Sequence, residues 1–181
     1  MSLPDDDLED TDEGYALDED GEDDHAARVW NLLLLINPGD QDSALQQFDA
    51  WREAMGGNLD GEGDGWLWTL KDAIDWRSGF YVDGKDAESL IAVIDELAAR
   101  WNLRIDWGGD VDDEEFLAAH DLPSLMAVAH DRLREDGYTL WNWNTDDDAH
   151  AGWIARVRDD EGMMQLAALL QVDMRPGSDA F

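Results

Sequence analysis

The chain has 181 residues, with 45 acidic against 12 basic side chains and a formal charge of -33. Such a charge repels nucleic-acid phosphates and anionic membrane surfaces, so neither is expected as a direct partner; basic proteins or divalent cations are. No cysteine is present, which excludes disulfides, thiol catalysis, iron–sulfur clusters and thiolate zinc sites.

Thirteen of the carboxylates fall in residues 1–24, with no Lys or Arg among them. High charge and few apolar groups there read as a disordered acidic arm. The remainder, 25–181, still carries thirty-two acids against the twelve bases. With 44% hydrophobic residues overall, it is long enough for one well-buried core, and a single domain is expected. The opening Met-Ser-Leu-Pro-Asp-Asp-Asp has neither a basic n-region nor an apolar h-region, and the apolar run Val29–Ile36 is far short of a membrane span. A cytoplasmic location is therefore expected.

In chain order, a helix is expected after Asp24, with Val29, Leu32, Leu33 and Ile36 on one stripe and Pro38-Gly39 as its end. A second helix runs from Asp42 to Met55, with Leu45, Phe48, Trp51 and Met55 facing inward, and Gly56-Gly57 stops it. Trp66–Trp76 fits a strand through Trp66, Trp68 and Leu70, or a helix through Leu67, Leu70 and Ile74. Phe80–Val82 reads as a strand. Asp86–Trp101 reads as a helix with Leu90, Ile94, Leu97, Ala98 and Trp101 along one face. Leu103–Trp107 alternates as a strand, and Asp112–Glu115 load the start of a short helix. Leu122–Glu135 is a further helix ended by Gly137. Tyr138–Thr145 and Ala151–Val157 form a hairpin, Glu161–Gln171 a last helix, and Val172–Met174 a closing strand. The fold class is α+β: a mixed β-sheet of four or five strands with helices packed on it as a two-layer sandwich, preceded by two helices.

The stretches Ile74-Asp75-Trp76, Leu103–Trp107, Gly137–Thr145 and Arg175-Pro176-Gly177-Ser178 resemble an uncharacterised family of acidic, Trp-rich bacterial domains. The resemblance covers about residues 26–181. It implies a bacterial cytosolic protein of one domain and supplies no catalytic residue.

Carboxylates invite a search for calcium. Asp60-Gly61-Glu62-Gly63-Asp64-Gly65 mimics the first half of an EF-hand, but Lys71 stands where a bidentate carboxylate must close the cage. Weak, adventitious divalent binding at Asp60, Glu62 and Asp64, or at Asp18-Glu19-Asp20, is all that this loop supports, and no cofactor is expected. The histidines His25, His120, His130 and His150 show no metal-binding spacing. His120 adjoins Asp121, and His150 adjoins Asp146, Asp147 and Asp148. A solvated His150 beside those acids is expected to have a raised pKa. No Gly-x-Ser-x-Gly elbow or P-loop is present, and the glycines of 61–65 sit among acids that repel phosphate.

What remains is a surface. Along 139–145, Thr139, Trp141, Trp143 and Thr145 share one face, and Leu140, Asn142 and Asn144 the other. The two faces are not expected to be equally buried. Trp141, Trp143 and Trp153 form an aromatic ladder that either faces the helices as core or lies exposed, rimmed by Asp146, Asp147, Asp148 and His150. The exposed form suits a basic, amphipathic partner. Three functions follow: a non-catalytic acidic binding protein, akin to an immunity protein or a DNA-mimicking inhibitor; a carboxylate- or metal-dependent hydrolase; or a protein acidic for solubility alone. A deep pocket uniting His120 or His150 with carboxylates would favour the hydrolase.

Overall fold

The computed structural model describes residues 21–56, 65–75 and 77–181. The expected acidic arm lies outside them up to residue 20, as do the Asp60, Glu62 and Asp64 loop and Trp76. Helix α1 (Gly21–Ile36) opens the described chain, so Asp24 is inside it rather than capping it. Val29, Leu32, Leu33 and Ile36 are completely buried along its inner stripe. Pro38 cannot continue the helix, and Gly39 turns with a φ of 76° that side-chain-bearing residues resist.

Helix α2 (Gln41–Met55) is capped by Asp40, whose Oδ1 accepts the Ser43 N–H at 3.1 Å. Its buried residues are Ala44, Gln47 and Trp51, while Leu45 is exposed. Helix α3 (Gly65–Ile74) settles the ambiguous Trp66 stretch: Trp66, Leu67, Leu70 and Ile74 are its buried residues, at helical spacing. Strand β1 (Gly79–Val82) and helix α4 (Ala87–Ala99, capped by Asp86) follow as read. Helices α5 (Glu114–Ala119) and α6 (Leu122–Glu135) are capped by Asp113 and Asp121. The hairpin strands β2 (Tyr138–Trp143) and β3 (His150–Arg156), helix α7 (Asp160–Leu170) and strand β4 (Met174–Pro176) complete the order.

Leu103–Trp107 is not a strand. Its alternation is real, because Leu103, Ile105 and Trp107 turn inward while Arg104 and Asp106 face out. Those three pack among the residues of the α4–α6 core, and Trp107 Nε1 donates to Asp95 of α4 at 3.0 Å. A period of two therefore arose without a ladder partner.

The sheet order is β1-β3-β2-β4, and each of its ladders is antiparallel. A mixed sheet was expected because helical crossovers return the chain in its original direction. β1 and β2 do run the same way, but β3 is inserted between them and pairs with both. The sandwich also has three layers instead of two. α1, α2, α3 and α7 cover one face through Trp141, Trp143, Ala151, Trp153 and Ala155. α4 and α6 cover the other through Phe80, Val82, Leu140 and Ile154. Each fully buried Leu or Ile in these layers is worth about 1.5–3 kcal/mol of transfer free energy.

The backbones of β2 and β3 meet closely at Gly152. A Cβ there would lie 1.9 Å from the Trp141 carbonyl oxygen, a contact that backbone cannot relieve. At the edge of the layers, Asn37 Nδ2 donates to Leu33 O and to Gln47 Oε1, both at 2.8 Å. Gln47 Nε2 donates to Ser78 Oγ at 2.8 Å, and Ser78 Oγ donates to Asn37 Oδ1. Arg100 closes the network, donating to Asn37 Oδ1 at 2.6 Å and to Ile36 O at 3.2 Å.

Gly152→Ala is expected to destabilise the fold by about 3 kcal/mol or more in urea unfolding, whereas Gly162→Ala in α7, with no atom within 4 Å of the new Cβ, should stabilise it by about 0.5 kcal/mol. Asn37→Ala strands the buried Gln47 amide and the half-buried Arg100 guanidinium, and a loss of about 2–3 kcal/mol is expected by the same measurement; Gln46→Ala, on the exposed side of α2, should change little.

Candidate functional site

The hairpin strands carried two readings, a core ladder or an exposed binding strip, and their residues decide between them. Trp141 and Trp143 are each 2% exposed and Trp153 is 1% exposed. Trp141 pairs across the ladder with Trp153, and the Trp143 ring lies 6.5 Å from that of Trp153 and 5.4 Å from that of Trp68 on α3. The aromatic ladder is therefore core, covered by α1, α2, α3 and α7, and presents no surface strip. The indole N–H groups of Trp141 and Trp153 have no hydrogen-bond acceptor, so these rings contribute volume at some polar cost. The expectation that one hairpin face would be solvated also fails, because Leu140, Asn142 and Ile154 on the opposite face are equally buried. Asn142 is satisfied there: its side chain donates to the Arg175 and Pro176 carbonyls at 2.9 and 3.2 Å and accepts the Phe181 N–H at 3.2 Å.

The acidic loop beyond the strands remains exposed at Asp146, Asp147 and Asp148. Its shape is set locally. Asp146 has a φ of 59°, and its N–H donates to Asn144 Oδ1 at 2.9 Å. Thr145 Oγ1 donates to the Ala149 carbonyl at 2.9 Å, and the Asp148 N–H donates to Asp147 Oδ1. The β1–α4 turn lies flush against this loop: a Cβ on Gly84 would sit 2.0 Å from the Asp148 carbonyl oxygen.

His150 begins β3 opposite Val82. It is 8% exposed, and its Nδ1 is enclosed without a hydrogen-bond partner. Burial lowers its pKa below the ordinary 6.5, opposed by the negative charges of Asp121 and Asp148. The expected rise from neighbouring acids is thus reversed, because loss of water outweighs their attraction. His130 on α6 is likewise lowered, first by burial, against the pull of Asp131, whose Oδ1 lies 3.7 Å from Nδ1. His120 stays near the surface, its Nδ1 2.8 Å from the Phe116 carbonyl and its ring against Phe116. Asp121 interacts electrostatically with both His120 and His150, a juxtaposition of α6 and β3 that no sequence spacing reveals.

Around His150 lies an open depression of about 400 Å³, lined by Gly84, Lys85, Asp147, Asp148, His150 and Phe181. A second, of about 410 Å³, is lined by Asp95 and the segment Leu103–Val111. Asp95 is a residue the sequence reading missed. Its pKa is raised by burial, opposed by the Trp107 hydrogen bond. The signal was its place one helical turn after the buried Ile91, on the edge of the apolar face of α4. Among the described residues, no three His, Asp or Glu side chains are arranged to hold a metal ion, and no helix is long and apolar enough to cross a membrane.

The fold is thus an α+β protein with a three-layer arrangement and an acidic, shallowly indented exterior. The chain belongs to the family described as Domain of unknown function (DUF6630), whose model matches residues 28–177. No curated protein and no solved structure matches it.

The two lowered imidazoles predict a pH dependence. With folded pKa values below 6.5, the unfolded chain binds more protons as pH falls through that value. Their contribution is fully present above about pH 6.5 and is lost below it. The capping carboxylates Asp40 and Asp121, held below 3.8 by their bonds to Ser43 and Ser124, lose theirs only at still lower pH. Urea midpoints should therefore fall from about pH 7.5 to about pH 5.5, and the double variant His130→Gln, His150→Gln should show a flatter profile.

Proposed function

We propose that the protein is a non-catalytic acidic binding protein that occupies the functional surface of a basic protein, in the manner of an immunity protein or a DNA-mimicking inhibitor. The carrying observation is the charge that remains beyond the opening acidic segment. Residues 25–181 hold thirty-two carboxylates and twelve Lys and Arg side chains, so pairing every base would still leave twenty carboxylates without one. Many of these acids are on the outside: Asp106, Asp110 and Asp112–Glu115 form one exposed stretch, and Asp83, Asp86, Glu88 and Asp146–Asp148 are exposed as well. The carboxylates that do meet a basic side chain sit mostly within or beside one element, as Glu135 with Arg132 at 3.4 Å and Asp179 with Arg175 at 3.8 Å.

Negative groups spread over a fixed scaffold attract a cationic partner over distances of order the Debye length, about 8 Å at physiological salt, and accelerate encounter. A bacterial cytosol is the setting this reading assumes. The same distribution is what solubility alone would require, and binding separates the two.

The test is affinity capture from the native host with the full chain and with a variant lacking residues 1–24, followed by direct titration of the recovered protein. One basic protein should be retained at low salt, with affinity falling about tenfold or more from about 0.05 to about 0.5 M NaCl. Retention of no basic protein, or of every cationic protein alike, would leave the acidity as a solubility property.

A further inference from the structure

The segment Leu103–Trp107 has the alternation of a strand and no strand beside it. It is nevertheless held in place. The Leu103 N–H donates to Ala98 O at 3.1 Å, Trp107 Nε1 donates to Asp95 at 3.0 Å, and Arg132 of α6 donates to Asp106 O at 3.3 Å. Between these anchors the backbone is unpaired. Among the described residues, the N–H groups of Arg104, Ile105, Asp106 and Trp107 and the carbonyls of Leu103, Arg104, Ile105 and Trp107 have no hydrogen-bond partner.

In an extended chain, alternate residues point their N–H and C=O groups to opposite edges. Arg132 takes the edge of Asp106, so Ile105 and Trp107 turn to the other, the edge on which Leu103 meets Ala98 of α4. Asp95 and Ala99 of α4 and the segment itself border an open depression of about 410 Å³ on that side. A row of unpaired backbone groups beside a cleft is the template on which a further strand adds. Solubility requires no such edge.

Resting on the reading of a basic partner, we propose that this edge receives an extended basic segment of that partner, which pairs with the backbone of Leu103–Trp107 as an added strand and sets one Lys or Arg side chain against Asp95. The chemistry of the occupant follows from the surroundings. Asp95 is half-buried, and burial raises its pKa against the Trp107 hydrogen bond and the charge of Arg104. An incoming cation would compensate the carboxylate for the water it has lost. Asp106, Asp110 and Asp112–Glu115 are exposed on or next to the same border, against the single base Arg104. A second copy of this chain would bring carboxylates against carboxylates, which disfavours self-pairing. A helix has no free backbone edge to offer, so the occupant is extended.

The experiment is an NMR titration of the full chain with the capped heptapeptide Arg-Thr-Arg-Thr-Arg-Thr-Arg. Two further probes accompany it: the same peptide with its backbone amides N-methylated, and its acidic counterpart Glu-Thr-Glu-Thr-Glu-Thr-Glu. The basic peptide should give saturable shifts centred on Leu103–Gly108 and slow hydrogen exchange of the Ile105 amide about tenfold or more. The N-methylated peptide keeps the charge and loses the donors, and should bind about tenfold or more weaker. The acidic peptide should not bind. Asp95→Asn, whose amide oxygen can still accept from Trp107, should weaken the basic peptide about threefold or more. Equal binding of the N-methylated peptide, shifts centred on Asp146–Asp148, protection of Ile105 by raising the concentration of the chain alone, or no saturable shift would each overturn the added strand. Any of these, with a basic protein still retained at low salt, leaves the binding reading standing; retention of no basic protein is the failure of that reading.

Discussion

Burial of the β2–β3 hairpin on both faces is the constraint from which the rest of the structure follows. Its strands carry Trp141, Trp143 and Trp153 toward one helical layer and Leu140 and Ile154 toward the other. A sheet centre apolar on both sides must be sandwiched, so helices have to be supplied to each face. Gly152 permits the strands to close, and the edge strands β1 and β4 then extend the ladder outward. The acidic exterior is a consequence as much as a feature. With the apolar residues consumed by two cores, what faces water is left free to carry charge.

That charge opposes the compact state through self-repulsion. Much of the carboxylate chemistry is nevertheless put to local use. Asp40, Asp86, Asp113 and Asp121 each cap a helix through a backbone N–H, a position where the helix dipole favours a negative group. At the joint of the layers, the Asn37, Gln47, Ser78 and Arg100 network ties the end of α1 to α2, to the approach to β1 and to α4. Arg134, Thr139 and Asp160 make a second tie between α6, β2 and α7, with Thr139 donating to Asp160 at 2.6 Å and Arg134 at 3.1 Å. Arg100 and Arg134 are thus placed where they join elements.

Helices were the most legible part of the chain. The period of Leu125, Met126, Ala129 and Leu133, ended by Gly137, gives α6 with the bounds Leu122–Glu135 that it has in the structure. Failures came where a local pattern had two physical causes. Leu103–Trp107 alternates because one side meets α4, without any strand beside it. On α2, the apolar stripe through Leu45 misled, since the buried polar residue is Gln47, whose partners Asn37 and Ser78 are 10 and 31 residues away. The candidate site was legible in part. The acidic loop was identified, but the ladder beneath it proved to be core, and the sign of the His150 shift reversed once its burial was known.

Composition and periodicity were enough to establish an α+β chain with an uncompensated negative charge, because net charge is a sum over residues and a helix writes its period into adjacent positions. They could not establish which face of a strand meets water, how many layers enclose the sheet, or that α6 brings Asp121 to the side of His150. Each of those depends on groups far apart along the backbone, and it is their packing together, with the loss of water this entails, that fixes burial, protonation and the shape of the surface.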